Sequence, residues 1–173
     1  MVVAETPRLR LRWLTADDAA FILELVNDPS WIANIGDKGI RDLDGARRYI
    51  ETGPKAMVAR FGFGLNLIET RDGTPVGLCG LIKRDSLPDV DVGYALLPVH
   101  AGRGYAREAV RAVLADGYAR CGLKRVIAIT MPHNKRSAKL LLDIGFTAEG
   151  TIPFKAGEPE DLLFGIELPL AKL

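Results

Sequence analysis

Cysteine is scarce in this chain: Cys79 and Cys121 are the only two in 173 residues, too few for a disulfide framework and without metal-ligand spacing. They read as buried or partly buried thiols of a reducing compartment. No apolar run approaches the ~18 residues that a membrane-crossing helix needs. The opening Met-Val-Val-Ala-Glu-Thr-Pro-Arg lacks the basic-then-apolar pattern of a secretory signal. A surplus of charge is also missing. Lys and Arg number 23 against 22 Asp and Glu, a net charge of +1 that supplies no electrostatic footprint for nucleic acid or a membrane surface. There is no Gly-Lys-Ser/Thr of a P-loop, and Gly102-Arg103-Gly104 lacks the third glycine of a dinucleotide fingerprint because position 107 is Arg. No repeat, low-complexity tract or linker divides the chain. What remains is one cytoplasmic domain over residues 1–173, long enough to bury roughly 70% of the surface its unfolded form exposes.

The most structured stretch is Val90 to Gly122. Val90, Val92, Tyr94 and Leu96 form a β-like run that stops at Pro98 and passes through His100-Ala101-Gly102-Arg103-Gly104-Tyr105-Ala106. Apolar or small residues then fall at 106, 109, 110, 113, 114, 117 and 118, one continuous helical stripe, and Gly122 is placed to end that helix in a left-handed conformation. A strand, a glycine turn and a helix N-terminus offer backbone N–H groups and the positive end of a helix dipole to an anion. Arg103 and Arg107 add charge. Two readings stand: a phosphate-holding turn, or a tight strand-to-helix connection.

The rest of the chain alternates in the same way. Arg8 to Leu14 reads as a half-buried strand, and Thr15 with Asp18 as the cap of a helix running to Asp28-Pro29. Residues 31–39 resist assignment, with Trp31 either exposed or a core plug. A second helix is expected over Asp42–Thr52, broken at Gly53-Pro54, with a turn or two more in Lys55–Arg60. Residues 65–70 and 75–83 flank Asp72-Gly73 as a hairpin, and Arg125–Thr130 reads as a strand covered on both faces. Asn134 begins a short helix to Ile144 with Ala138, Leu141 and Leu142 inward, and two closing strands surround the polar loop 153–161.

GYALLPVHAGRGYAREAV followed by NKRSAKLLLDIGF resembles the GNAT superfamily of acyl-CoA-dependent N-acetyltransferases, and within it the branch of the bacterial ribosomal-protein N-terminal acetyltransferases. The resemblance covers most of the chain and is strongest over roughly residues 75 to 150. It implies an α/β GNAT fold, a mixed central β-sheet flanked by helices on both faces, and acetyl-CoA as cofactor. The family's phosphate loop, Gln/Arg-x-x-Gly-x-Gly/Ala, falls on Ala101, Gly104 and Ala106. Gly104 and Ala106 match; Ala101 does not, which leaves the amides of Gly102, Arg103, Gly104, Tyr105 and Ala106 to hold the phosphates. Backbone groups of Leu96 and its neighbours would pair with the pantetheine arm where the central strand parts from Arg125–Thr130. The Tyr that many members carry one turn into the last helix is replaced by Leu141. The Asn-x-x-Ser of the ribosomal branch is matched by Asn134 and Ser137, which implies that Asn134 bonds the pantetheine and that Ser137 stabilises or protonates the departing thiolate. From the residues alone, Asn134 and Ser137 read first as a helix cap and its first turn.

Acetyl transfer needs a neutral amine and a neutralised thiolate. An α-amino group with pKa about 7.7 to 8 is roughly one part in seven neutral at pH 7, a lysine amine near 10.4 about one in 2,500. The carboxylates nearest the expected cleft are Asp89 and Asp91, on a strand face that also carries the small Gly93 and Ala95. The family often has a Glu near Asp91, which puts Asp91 first as base. His100, His133, Glu149, Glu158 and Glu160 are rivals by residue type. The expected acceptor is a primary amine, either a protein N-terminus or a small molecule, and analogy adds a homodimer through C-terminal edge strands. A catalytically silent CoA-binding sensor or scaffold and a nucleotide-binding α/β module are the alternative classes.

Overall fold

In the computed structural model, which describes residues 1–170, the Arg/Leu alternation before Thr15 forms β2 (Leu9–Trp13). It follows β1 (Val2–Glu5), a strand the sequence reading did not anticipate. Leu9 and Leu11 are fully buried, while Arg10 and Arg12 project to the other face, as a period of two requires. Asp18 accepts the Thr15 N–H at 2.7 Å, forming the expected cap, and a 3₁₀ turn (Ala16–Asp18) leads into α1 (Ala19–Asn27). Asp28 then caps α2 (Pro29–Asn34) by accepting the Ser30 N–H at 2.8 Å, with proline at a first position that needs no donor. The unassigned segment therefore begins as helix, and Trp31 is a core residue.

Asp42 caps α3 (Leu43–Ile50), accepting the Gly45 N–H at 2.6 Å. The expected break at Gly53-Pro54 does not occur. The chain passes through a π-wound segment (Glu51–Lys55) into α4 (Ala56–Phe61), and Pro54 is buried within it. A wider turn accommodates a residue that cannot donate and whose ring crowds the preceding turn, so proline shifts the winding without ending the helix.

The remaining elements are β3 (Leu65–Thr70), β4 (Pro75–Ile82), β5 (Asp91–Leu96), α5 (Tyr105–Cys121), β6 (Arg125–Thr130), α6 (Lys135–Ile144), β7 (Thr147–Ile152) and β8 (Asp161–Glu167). Among the described residues eight strands form one mixed sheet in the order β1-β2-β3-β4-β5-β6-β8-β7. Every neighbouring pair is antiparallel except β5 with β6. Helices cover both faces. Ile22, Leu25, Ala46 and Ile50 pack on Leu67 and Leu78 on one side, and Val110, Val113, Leu114 and Leu141 pack with Leu11, Ile68 and Leu81 on the other. The α5 stripe is as expected: Ala109, Val110, Val113, Leu114 and Gly117 are buried, and Gly122 ends the helix at φ 67°. On α6 one position differs: Leu142 is 52% exposed, and the buried apolar residues are Leu141 and Ile144. Arg12 fixes the sheet to the first helix by donating to Asp18 at 2.7 Å and to Glu69 of β3 at 2.6 Å. Burial alone would raise the Asp18 carboxyl, but the Arg12 and Thr15 hydrogen bonds hold it below its ordinary range.

Candidate active site

The β5–β6 ladder consists of one register pair, Asp91 with Ile127, and an Ile127 N–H to Val90 C=O bond of 3.0 Å. Beyond it the two strands part. On its other edge β5 pairs continuously with β4 from Asp91 to Leu96, so the edge facing β6 is left open to an extended guest chain. Along β5, Ala95 packs under the α1–α3 side, while Val92, Tyr94 and Leu96 pack toward α5 and α6.

A cleft of two lobes occupies the opening. The smaller lobe, about 330 Å³, is lined by Leu96, Ala101, Gly102, Gly104, Tyr105 and Ala106 with Asn134, Arg136 and Ser137 of the α6 end. Gly102 and Gly104 have φ of 78° and 82°, a backbone region that disfavours side chains, so the loop's shape depends on glycine at both positions. The N–H groups of Gly102 to Ala106 meet no acceptor among the described residues, whereas the Ala101 N–H is already donated to Pro98 at 3.0 Å. Arg103 does not line the lobe; its carbonyl accepts from Arg8 Nη1 at 2.8 Å. Arg8 also bonds Glu108 at 2.7 Å and lies over the Tyr105 ring, so the start of β2 holds the loop from outside. Arg107 turns away to the Asp143 carbonyl. Arg136, which sequence reasoning passed over, has its guanidinium beside Gly102.

The larger lobe, about 610 Å³, shares Trp31, Tyr94, Ala95, Asn134 and Ser137 with the smaller one and adds Asp91, Gly93, Lys38, Arg84, Lys155 and Asp161. Asn134 caps α6 by accepting the Ser137 N–H at 3.1 Å; its backbone N–H donates to the Met131 carbonyl at 2.9 Å, and its side-chain amide N–H groups meet no acceptor among the described residues. The Ser137 hydroxyl and the Tyr94 phenol are 2.7 Å apart. Burial pushes the Tyr94 phenol up to about 12. This phenol comes from β5 rather than from α6, where Leu141 faces the core. Its period-two position opposite the α6 end was the only sequence signal for it.

Asp91 is 1% exposed, and burial pushes its carboxyl up to about 6 against the opposing pull of Arg84, whose Nε donates to it at 3.0 Å. Asp89, its neighbour in sequence, instead pairs with Arg125 at 3.1 Å and does not line the cleft. Glu149 is held by Arg125 at 2.5 Å, Glu160 bonds Thr151, and Glu158 faces Lys155 at 3.6 Å. His133 meets the Ala33 carbonyl at 3.1 Å, and neither it nor His100 lines either lobe. Asp161 was missed because it follows the irregular loop 153–161. It faces the larger lobe with no hydrogen bond to its carboxylate among the described residues, and burial raises its pKa. No group of three or more metal-ligating side chains occurs among the described residues.

An open strand edge, a loop of unpaired amides at one end and a cavity holding the buried Asp91 at the other make a cleft suited to two substrates meeting in the middle. Residues 8–147 match the family model of the acetyltransferase (GNAT) domain, and the chain belongs to that family. It is accordingly an acetyltransferase by fold and family. The uncharacterized N-acetyltransferase YoaA of Bacillus subtilis (strain 168) is 28% identical over 166 residues, 92% of each chain. An acetyltransferase from Agrobacterium tumefaciens str. C58 superposes with a TM-score of 0.82 at 27% identity, over 97% of this chain and 95% of that one. RimL, the ribosomal L7/L12 alpha-N-protein acetyltransferase solved with coenzyme A, matches the fold with a TM-score of 0.82 at 15% identity, over 97% and 98%. Among the described residues no helix is long and apolar enough to cross a membrane.

Proposed function

We propose that this chain moves the acetyl group of acetyl-CoA onto a primary amine by direct attack. The carrying observation is the parting of β5 from β6 after Asp91, which opens one cleft between the unpaired amides of Gly102–Ala106 and the cavity that holds Asp91. The CoA phosphates lie on those amides, with Arg136 beside them, and the pantetheine pairs with the free edge of β5 near Leu96 and with Asn134. The acceptor enters from the larger lobe. Its nitrogen bonds to the thioester carbon, the C–S bond breaks, and the ammonium proton passes to Asp91, whose pKa of about 6 leaves it mostly ionised at pH 7. Ser137, backed by Tyr94, donates a hydrogen bond to the leaving sulfur. A phenol near 12 cannot give its proton outright to a thiolate of pKa about 8.5, because that transfer is uphill by roughly 5 kcal/mol. The pair therefore stabilises the thiolate, and water completes its protonation.

Calorimetric titration with acetyl-CoA, followed by thiol release with a panel of amines, tests this reading. Micromolar binding and amine-dependent release support it. Binding without release from any amine would instead favour a CoA-binding scaffold, and absence of binding at millimolar concentration would remove the cofactor assignment. The homodimer reading rests on β7, an outer strand of the sheet with five of six residues exposed, and light scattering of the purified chain decides it.

A further inference from the structure

The larger lobe carries more positive charge than an amine acceptor alone explains. Lys38, Lys83, Arg84 and Lys155 line it against only Asp91 and Asp161. Arg84 is held in place twice, by Asp91 at its Nε and by the Phe154 ring 5.0 Å beneath its guanidinium carbon. Its two terminal nitrogens donate to nothing among the described residues, which leaves a fork of donors presented to the cavity. Lys155 crosses from the loop before β8 to donate to the Ile35 carbonyl at 3.0 Å, so it closes the cavity from the far side. Lys38 sits on that same rim with no hydrogen bond or ion pair among the described residues. Its ammonium is lowered below the ordinary lysine value by partial loss of water and then by the charges of Arg84 and Lys155, so the three cations act on one space. A polyamine, itself multiply positive, would be repelled from such a space.

We infer that the acceptor is an amine that also bears an acid group, a carboxylate or a phosphate, seated on the Arg84 fork with Lys38 and Lys155 around it. This rests on the acetyl-transfer reading of the cleft and specifies its substrate class. The anion is held by Arg84 beside Asp91, which places the amine of a compact amino acid within the part of the lobe that adjoins Tyr94 and Ser137. Trp31, Met57 and Phe154 supply apolar walls for a side chain. The surrounding cations also favour the neutral amine over the ammonium, which is the form that attacks.

Matched pairs test the inference. L-phenylalanine is compared with L-phenylalaninamide, and O-phosphoethanolamine with ethanolamine, with spermidine as the polycationic control. Acetyl-CoA-dependent thiol release is measured for each, together with calorimetric binding of N-acetyl-L-phenylalanine and its amide to the CoA-saturated protein. At least one acid is expected to exceed its uncharged partner by about tenfold or more in kcat/KM or affinity, the scale of one charge-assisted hydrogen bond. The two pairs distinguish carboxylate from phosphate. Arg84→Met should erase the preference. Because that change also strips Asp91 of its partner, Lys38→Met, which breaks no internal bond, serves as the second variant and should reduce the preference about threefold. Equal use of acid and uncharged partner, better use of the uncharged one, or turnover of spermidine alone overturns the inference. If CoA binds and neither acid binds or reacts, the inference fails while the cofactor reading stands. If CoA itself does not bind, the underlying reading fails with it.

Discussion

The two lobes of the cleft are built from different materials. The small lobe offers its donors mainly from backbone: two glycines at positive φ and the unpaired N–H groups of Gly102 to Ala106, with Asn134, Arg136 and Ser137 at its edge. The large lobe is made of side chains from α2, α3, the 83–91 segment, β5 and the loop before β8, brought together only by folding. A backbone site keeps its donors when a side chain changes, so an alanine at 101 leaves the amides of Gly102–Ala106 in place. A side-chain site can be re-tuned one residue at a time. On the proposed function the small lobe takes the cofactor and the large lobe the acceptor, so the two should answer differently to substitution.

The sharpest test of that contrast is Gly104→Glu. It forces a side chain onto a φ of 82°, sets a Cβ 3.2 Å from Arg8 Nη2 and brings a negative charge to the phosphate position. CoA affinity by calorimetry should fall by about a hundredfold or more, and Gly104→Ala, which adds strain without charge, by about tenfold. Unchanged affinity in Gly104→Glu would falsify the loop assignment.

Asp91→Asn probes the other lobe. It should lower kcat/KM by about a hundredfold with CoA affinity unchanged. The pH profile supplies the sign. An amine acceptor already makes log kcat/KM fall with slope 1 as pH drops, and protonation of Asp91 should steepen the slope to 2 below about 6, a bend the Asn variant lacks. Stability moves the other way. The folded-state pKa lies above the unfolded value, so the folded state takes up the proton first, and melting temperature should gain as pH falls from about 6 toward 4 relative to Asp91→Asn.

Tyr94→Phe sits where the lobes meet. It removes the 2.7 Å bond to Ser137 and should cost roughly tenfold in kcat while leaving CoA affinity within about twofold. Ser137→Ala should lower turnover to a similar extent, and the double variant should lose less than the sum of the two. If turnover of Ser137→Ala is unaltered on a good substrate, Ser137 is a first-turn residue of α6 and nothing more. The smallest effect is expected from Ala101→Gln, which restores a polar side chain to an intact loop and should tighten CoA by about two- to fivefold in the same titration.

Legibility in the sequence followed the same division. The β5–loop–α5 unit was readable because its signals are local: alternation in Val90–Leu96, glycines where φ turns positive, and a helical stripe ending at Gly122. The Thr15–Asp18 box and the Asp72-Gly73 hairpin were readable for that reason too. Asp91 and Asp89 are equivalent in the strand pattern, and only the family resemblance puts Asp91 first; in the structure Arg84 and Arg125 send the two aspartates to different partners. Tyr94 was quoted as a strand residue and passed over as chemistry, because its partner Ser137 lies 43 residues away. Arg84, Lys38 and Lys155 stand in turns and loops, and Asp161 opens β8 directly after one, where no periodicity tells which way a side chain points. The helix through Gly53-Pro54 was misread because the rule that proline breaks a helix assumes α winding, and a π turn escapes it.

The grip of Arg8 on Arg103 and Glu108 has a consequence for how the protein is handled. The loop that would receive the cofactor is clamped by residues near the start of the chain, reinforced by Thr6 donating to Glu108 at 2.6 Å. Its outer support is a contact between residues 6–8 and the loop and first turn of α5, about a hundred positions apart in the chain. A tag, a trimmed start or a fusion partner that disturbs residues 6–8 would loosen a ligand pocket nearly a hundred positions away while leaving the core folded. Preparations differing only at the N-terminus are thus expected to differ in cofactor affinity, and the choice of expression boundary becomes part of the enzymology.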